Sequence, residues 1–424
     1  MGPFFVSKHA HAEGIQTSAS GLYSHAEGNN TKSTGLYSHA EGSQTTTSGT
    51  ASHAEGVQTI ASGDYSHAEG NLTVASGYSS HAEGINTVAS APYSHAEGSA
   101  TSASAQYSHA EGNNTIALGQ YSHAEGRETL TSGESSHAEG YSTIASGIYS
   151  HAEGTYNTSS GYASHAEGSQ TKAIGSYSHT EGWLTIATAN YAHAEGYNTS
   201  ASGMYSHAEG HTTIASGSYS HAEGGYNKAF GLWSHAEGNY TNAYANYSHV
   251  EGDNSSTYGI GSHAEGSSNK ASGSYSHAEG TSTEARGDQS HTEGMGTLTL
   301  GQASHAEGWS TVAKGDNSHA EGYNTISIGV ASHAGGNSTI ASGSYQTVFG
   351  AFNTQNNTTS LVILGAGAND STRRDAITIE STGHTVLPYV SSSCNYANDS
   401  AAATGGVPLG GVYHTNGALK IRLV

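Results

Sequence analysis

Histidine recurs at every fourteenth position from His11 to His333, twenty-four times without a break and nearly always within Ser-His-Ala-Glu-Gly. A chain that rewrites one short unit cannot set a single specialised site against an unlike background, because identical units stack on one another. The repeat runs from Ser7 to about Gly350 and predicts a solenoid in which each coil touches only its neighbours.

Of the 424 residues only 34% are hydrophobic, with five Phe, three Met and 58 Gly, too little apolar matter for one large core. Such a composition without a period would read as disordered; with one it reads as a thin, stacked roll. The formal charge of −22 has the same origin. Twenty-three of the 34 acidic residues are the repeat glutamates Glu13 to Glu321, and 12 Lys plus Arg nearly balance the rest. The charge is therefore one ladder of Glu beside a ladder of His. No basic stripe is available to neutralise phosphates, so nucleic acid is not an expected partner.

Cys394 is the single cysteine, which excludes an intrachain disulfide framework. No apolar run is long enough to span a bilayer, and residues 1–8 lack the basic, apolar and small-residue regions of a secretion signal. No membrane insertion is expected.

Within the unit that begins at Tyr23, two short alternating runs are separated by Gly-bounded corners, which predicts two strands per coil. Alternation puts Ser24, Ala26 and Gly28 on one face and Tyr23, His25 and Glu27 on the other. Thr31, Ser33 and Gly35 share a face in the second run. Fourteen residues close a loop too tight for Leu or Phe, so the small face is the interior. Glycines at the corners supply the positive φ such turns need. At about 4.8 Å per coil, 23 intervals give a rod on the order of 110 Å long. A rod this thin buries little per residue, which favours association of several copies.

The unit Ser-His-Ala-Glu-Gly-x-x-Thr-x-Ala-Ser-Gly-x-Tyr resembles the Ser-Val-Ala-Ile-Gly-x-x-Ser-x-Ala-x-Gly repeat of YadA-like heads in trimeric autotransporter adhesins. The resemblance implies an all-β fold: a left-handed parallel β-roll with 14-residue coils, assembled as a homotrimer. His and Glu stand where that family carries Val and Ile, so an apolar interface between chains is not implied. Residues 345–424 resemble instead the ends of phage or large-virus tail fibres, on Ser360-Leu-Val-Ile-Leu-Gly-Ala-Gly with Arg373-Arg-Asp-Ala-Ile-Thr-Ile, and on Tyr396-Ala-Asn-Asp through Gly-Gly-Val-Tyr413. That likeness implies a virion-surface fibre with a host receptor, a glycan being one candidate, and an attachment partner on the particle. The residues alone predict a lead segment 1–6, a roll 7–350, and a small β-rich cap 351–424. In the cap, Leu361–Leu364 and Ala376–Ile379 are strand candidates, and Asn416-Gly417 closes a hairpin.

Imidazole and carboxylate are both ligands for first-row metals, which makes His25, Glu27, His39 and Glu41 metal candidates. Structural pairing is preferred, because every coil offers the same pair and nothing completes a cage; no cofactor is expected. The face carrying Tyr23, His25, Glu27, His67, Glu69, His123 and Glu125 is expected to pack near a trimer axis. Ion pairing there would raise the His pKa and lower the Glu pKa, with burial opposing both. Twenty-three equivalent glutamates offer no asymmetry for acid–base work, so an enzyme is not expected. A tailspike that cleaves polysaccharide would need wider coils with an irregular carboxylate-bearing groove. Arg286-Gly287-Asp288 reads as a repeat corner rather than an adhesion tripeptide. The position after each Glu-Gly varies freely, as a solvent-facing corner does. Trp183, Tyr197 and His211, and Trp309 with Tyr323, are the candidate receptor contacts. A microbial surface adhesin or extracellular filament is the alternative function.

Overall fold

The computed structural model describes residues 9–424; the lead segment 1–6 and the start of the roll at Ser7 lie outside the described residues. The chain winds into about 25 turns of parallel β-solenoid with fourteen-residue coils. It forms two compact units, one ending at Gly224 and the other running from Gly225 to Val424. Each unit is built from the same coil.

In the first unit, His25–Asn29 lies parallel to His39–Ser43 with His opposite His, Ala opposite Ala and Glu opposite Glu. The short strand Lys32–Ser33 pairs in the same way with Thr46–Thr47. In the second unit His263–Ser267 and His277–Thr281 repeat the register. Period-two alternation then determines what is inside: Ala26, Thr31 and Ser33 are fully buried, as are their counterparts along the stack except Ala12 in the first coil. The Ser24 hydroxyl, also buried, donates to the Gly21 carbonyl at 2.7 Å and ties one corner down. In four turns Asn157, Asn227, Asn269 or Asn353 takes the buried Thr position. The interior accepts the larger side chain because its amide joins the stack: Asn157 Oδ1 accepts from the Thr171 amide at 2.8 Å, and Nδ2 donates to the Gly168 carbonyl at 2.8 Å.

The corners differ from the sequence expectation in two ways. Gly28 does have positive φ (113°), but it turns outward instead of sharing the inner face with Ala26. Gly35 has no positive φ; a Cβ built there would lie 2.0 Å from the Gly49 carbonyl oxygen of the next coil, yet the same column takes alanine at Ala91, Ala105, Ala189 and Ala245. The left-handed corner residues are Tyr23 (φ 58°) and Asn30 (φ 56°), repeated through the stack mostly by Tyr and by polar residues. Tyr23 is thus a corner residue and not part of the His25–Glu27 strand face, because its turn conformation breaks the alternation before the strand begins.

The parallel stack also outlasts the written period. Ser360–Ala366 lies parallel to Thr347–Ala351, with Thr347 opposite Val362 and Gly350 opposite Gly365, a fifteen-residue step. The extra turn holds because Ile363 enters the buried column, packed with Ala334, Ala341 and Val348. Gln346 occupies the usual Ser position, and its buried amide accepts from Ser342 and Gly343 and donates to the carbonyls of Asn357 and Ser360. Asp375–Glu380 then pairs antiparallel with Ser360–Ala366 and covers the edge that another copy could otherwise extend.

Both expected strands are present in these segments. Beyond them come two short helices, Pro388–Ser393 and Asp399–Thr404, and a hairpin of Val412–Thr415 with Ala418–Ile421. Asn416 (φ 49°) and Gly417 (φ 90°) close it, as the Asn-Gly pair requires. Cys394, Ala402, Val407 and Tyr413 form a small buried cluster beneath. Among the described residues no helix is long and apolar enough to cross a membrane.

Candidate functional site

Because the coils stack in register, every residue type becomes a column. The His side chains form the most regular one: His25 and His39 stack at 4.7 Å with planes 1° apart, and His109 and His123 at 4.6 Å and 1°. The Glu column runs beside it. His25 Nε2 lies 3.7 Å from Glu27, with the two side chains 37% and 40% exposed. The same contact is 3.8 Å at His39–Glu41 and His67–Glu69, and 3.9 Å at His123–Glu125. Glu125 also faces His137 of the next coil at 3.6 Å, so its carboxylate sits between two imidazoles.

Most of these approaches are longer than a hydrogen bond. Closer ones occur at His165–Glu153 (3.2 Å), His319–Glu307 (3.1 Å) and His333–Glu321 (3.2 Å), each linking a His to the Glu of the preceding coil. Elsewhere, as at His81, His95, His123 and His137, Nε2 is shielded from solvent and has no hydrogen-bond partner among the described residues.

At His109 and His193 the electrostatics reverse the expected shift. Burial, followed by the charge of the stacked neighbours His123 and His95, lowers the His109 pKa; the attraction of Glu111 is a smaller opposing effect. At His193 the same causes bring it down to about 4. A carboxylate nearly 4 Å away does not compensate an imidazolium for lost water and like-charged neighbours on both sides. The glutamates divide instead of all falling. Hydrogen bonding with Glu55 holds Glu69 up to about 7, and Glu195 is held at about 8 first by Glu181 and then by Glu209. Glu55 and Glu111 are lowered by the same bonds, to Glu69 and Glu97 respectively. Stacked carboxyls thus share protons along the column, as like charges at this spacing must. An open groove of about 780 Å³ follows the column through Glu153, Glu167, Glu181, Glu195 and Glu209.

The candidate receptor contacts are brought together. Trp183 and Tyr197 lie 4.6 Å apart, and Tyr197 stacks on His211 at 4.8 Å and 3°. Trp309 meets Tyr323 edge-on at 5.6 Å. All four Trp and Tyr rings are exposed. One aromatic column was missed in the sequence reading. Phe230, Tyr244 and Tyr258 form it, at 5.5 and 4.9 Å, while the repeat tyrosines of the Tyr23 column stack on the left-handed corner, as Tyr177, Tyr191 and Tyr205 do at 5.0 and 4.7 Å. The fourteen-residue spacing of Phe230, Tyr244 and Tyr258 was the available signal. Asp288 accepts from the Ser274 amide at 2.8 Å and Arg286 pairs with Glu284 at 2.7 Å, so the Arg-Gly-Asp side chains are engaged within the roll.

Comparison with protein-family models and with curated proteins returns no match to this chain.

Proposed function

We propose that the chain is a structural, adhesive fibre protein without catalytic activity, a homotrimer on a virion surface that provides reach and binds a host receptor. The observation that carries this reading is the contrast between columns. The His–Glu face barely changes over twenty-four coils, whereas the exposed corner after Glu-Gly changes freely and gathers aromatic rings into strips. A face kept uniform suits packing against identical copies; a varied aromatic corner suits contact with a glycan. The left-handed trimeric roll follows from the resemblance of its repeat to YadA-like heads, and the virion setting from that of residues 345–424 to fibre ends.

Labelling each terminus and imaging intact particles tests the setting: label at the end of a projecting fibre supports it. Label on a microbial cell surface instead supports the adhesin reading. For the corner strips, Trp183→Ala together with Tyr197→Ala is expected to reduce binding to host cells at least tenfold with melting unchanged. Undiminished binding would remove that strip from the recognition surface.

A further inference from the structure

The His–Glu face holds nitrogen lone pairs and carboxylates that the single chain leaves uncompensated, in an arrangement that repeats. In the sets His81–Glu83–His95, His109–Glu111–His123 and His123–Glu125–His137, one donor atom from each residue lies within 4.8 Å of the other two. The Nε2 atoms of all five histidines are out of contact with solvent and lack a hydrogen-bond partner among the described residues. In the second unit Glu279 stands 3.8 Å from His277 and 3.7 Å from His291, and Glu265 stands 4.0 Å from both His263 and His277. A carboxylate between two imidazoles of successive coils is a three-donor set with the chemistry of zinc, nickel or copper ligands, and a poor one for magnesium or calcium.

We propose that this face is a linear array of divalent transition-metal sites, each formed by the histidines of two consecutive coils and the glutamate between them. The stacking geometry determines how many such sites can fill. Adjacent rings lie 4.6–4.9 Å apart, as at His109–His123 and His123–His137. Two nitrogens around one tetrahedral zinc ion stand about 3.3 Å apart, given metal–nitrogen distances of about 2.0–2.1 Å. The backbone rise is fixed by the parallel ladder, so the rings themselves must tilt toward each other. A ring tilted toward one neighbour is tilted away from the other. Each ion therefore consumes a pair of coils, and the fourteen-residue period becomes a twenty-eight-residue period when the array is loaded. The inference does not depend on the trimer, because both imidazoles come from one chain.

The test uses the full chain, stripped of metal with a chelator, dialysed, and titrated with Zn²⁺ and separately with Cu²⁺ in excess Mg²⁺, with bound ions counted by elemental analysis. Saturation at one ion per two ladder histidines, about 12 per chain, is the expected result. In the copper-loaded protein, dipolar coupling between ions should report a separation of about 9.6 Å, two coil rises. One ion per three histidines would place the site between three chains on one level and overturn the proposal. One ion per coil, or uptake abolished by Mg²⁺, would overturn it as well.

Discussion

At the scale of single residues the roll is limited by backbone approach, and glycine shows this most directly. At Gly70 (φ 108°) a Cβ would stand 2.1 Å from the Gly84 carbonyl oxygen, backbone against backbone, with no flexible atom to yield. Gly70→Ala is expected to cost more than ~2 kcal/mol, measured by chemical denaturation. Gly383→Ala, at φ 86° with open space around it, should cost only ~1–2 kcal/mol. Equal costs for the two would mean that coils do not stack as closely as the carbonyl contacts require.

The ladder residues give a pH prediction for the metal-free protein. Glutamates with raised values, such as Glu69 and Glu97 at about 7, contribute stability that is complete below the ordinary carboxyl pKa and is lost as pH rises toward 7. Histidines with lowered values, such as His193 at about 4, contribute stability present above about 6.5 and lost as pH falls toward 4. The two slopes oppose each other between these limits, so stability there should vary little. At pH 6 the infrared spectrum should keep a carboxylic-acid band while nitrogen NMR shows neutral imidazoles. Fully ionised carboxylates beside imidazolium rings at pH 6 would restore the ionic ladder.

At the scale of elements the closing turn is the least repetitive part of the stack. Gln346→Ala removes four buried hydrogen bonds around Ser342, Gly343, Asn357 and Ser360. A loss of roughly 2–4 kcal/mol is expected. Amide exchange should rise in Ser360–Ala366 and stay unchanged in coils far from it; uniform acceleration along the chain would contradict a local brace.

The coil itself was legible because fourteen-residue identity leaves one register and alternation assigns each column a side, as Ala26, Thr31 and Ser33 show. The corner at Tyr23 was not legible, because a bulky aromatic is a poor candidate for the left-handed region and local pattern gives no sign of it. The fifteen-residue turn was hidden for a related reason: one inserted residue breaks the period on paper, yet Ile363 still reaches the buried column. The ladder residues were found by spacing alone. The sign of their titration was not, because it depends on how much water the stacked rings lose and on which carboxyls meet.

At the scale of the whole molecule, the uniform His–Glu face is the surface proposed to meet other copies. Residues 351–424 carry the apolar strand, the antiparallel edge cover and the hairpin that the coils lack, so their deletion is expected to give staggered or aggregated shafts by electron microscopy. Clean assembly of the truncated chain would assign them to another task. The proposed fibre stands most directly on its assembly state. Sedimentation equilibrium of the full chain at micromolar concentration should give a single species of three times 43.2 kDa. A folded species of 43.2 kDa that persists across the concentration range would contradict the trimer, and with it the role assigned to the His–Glu face.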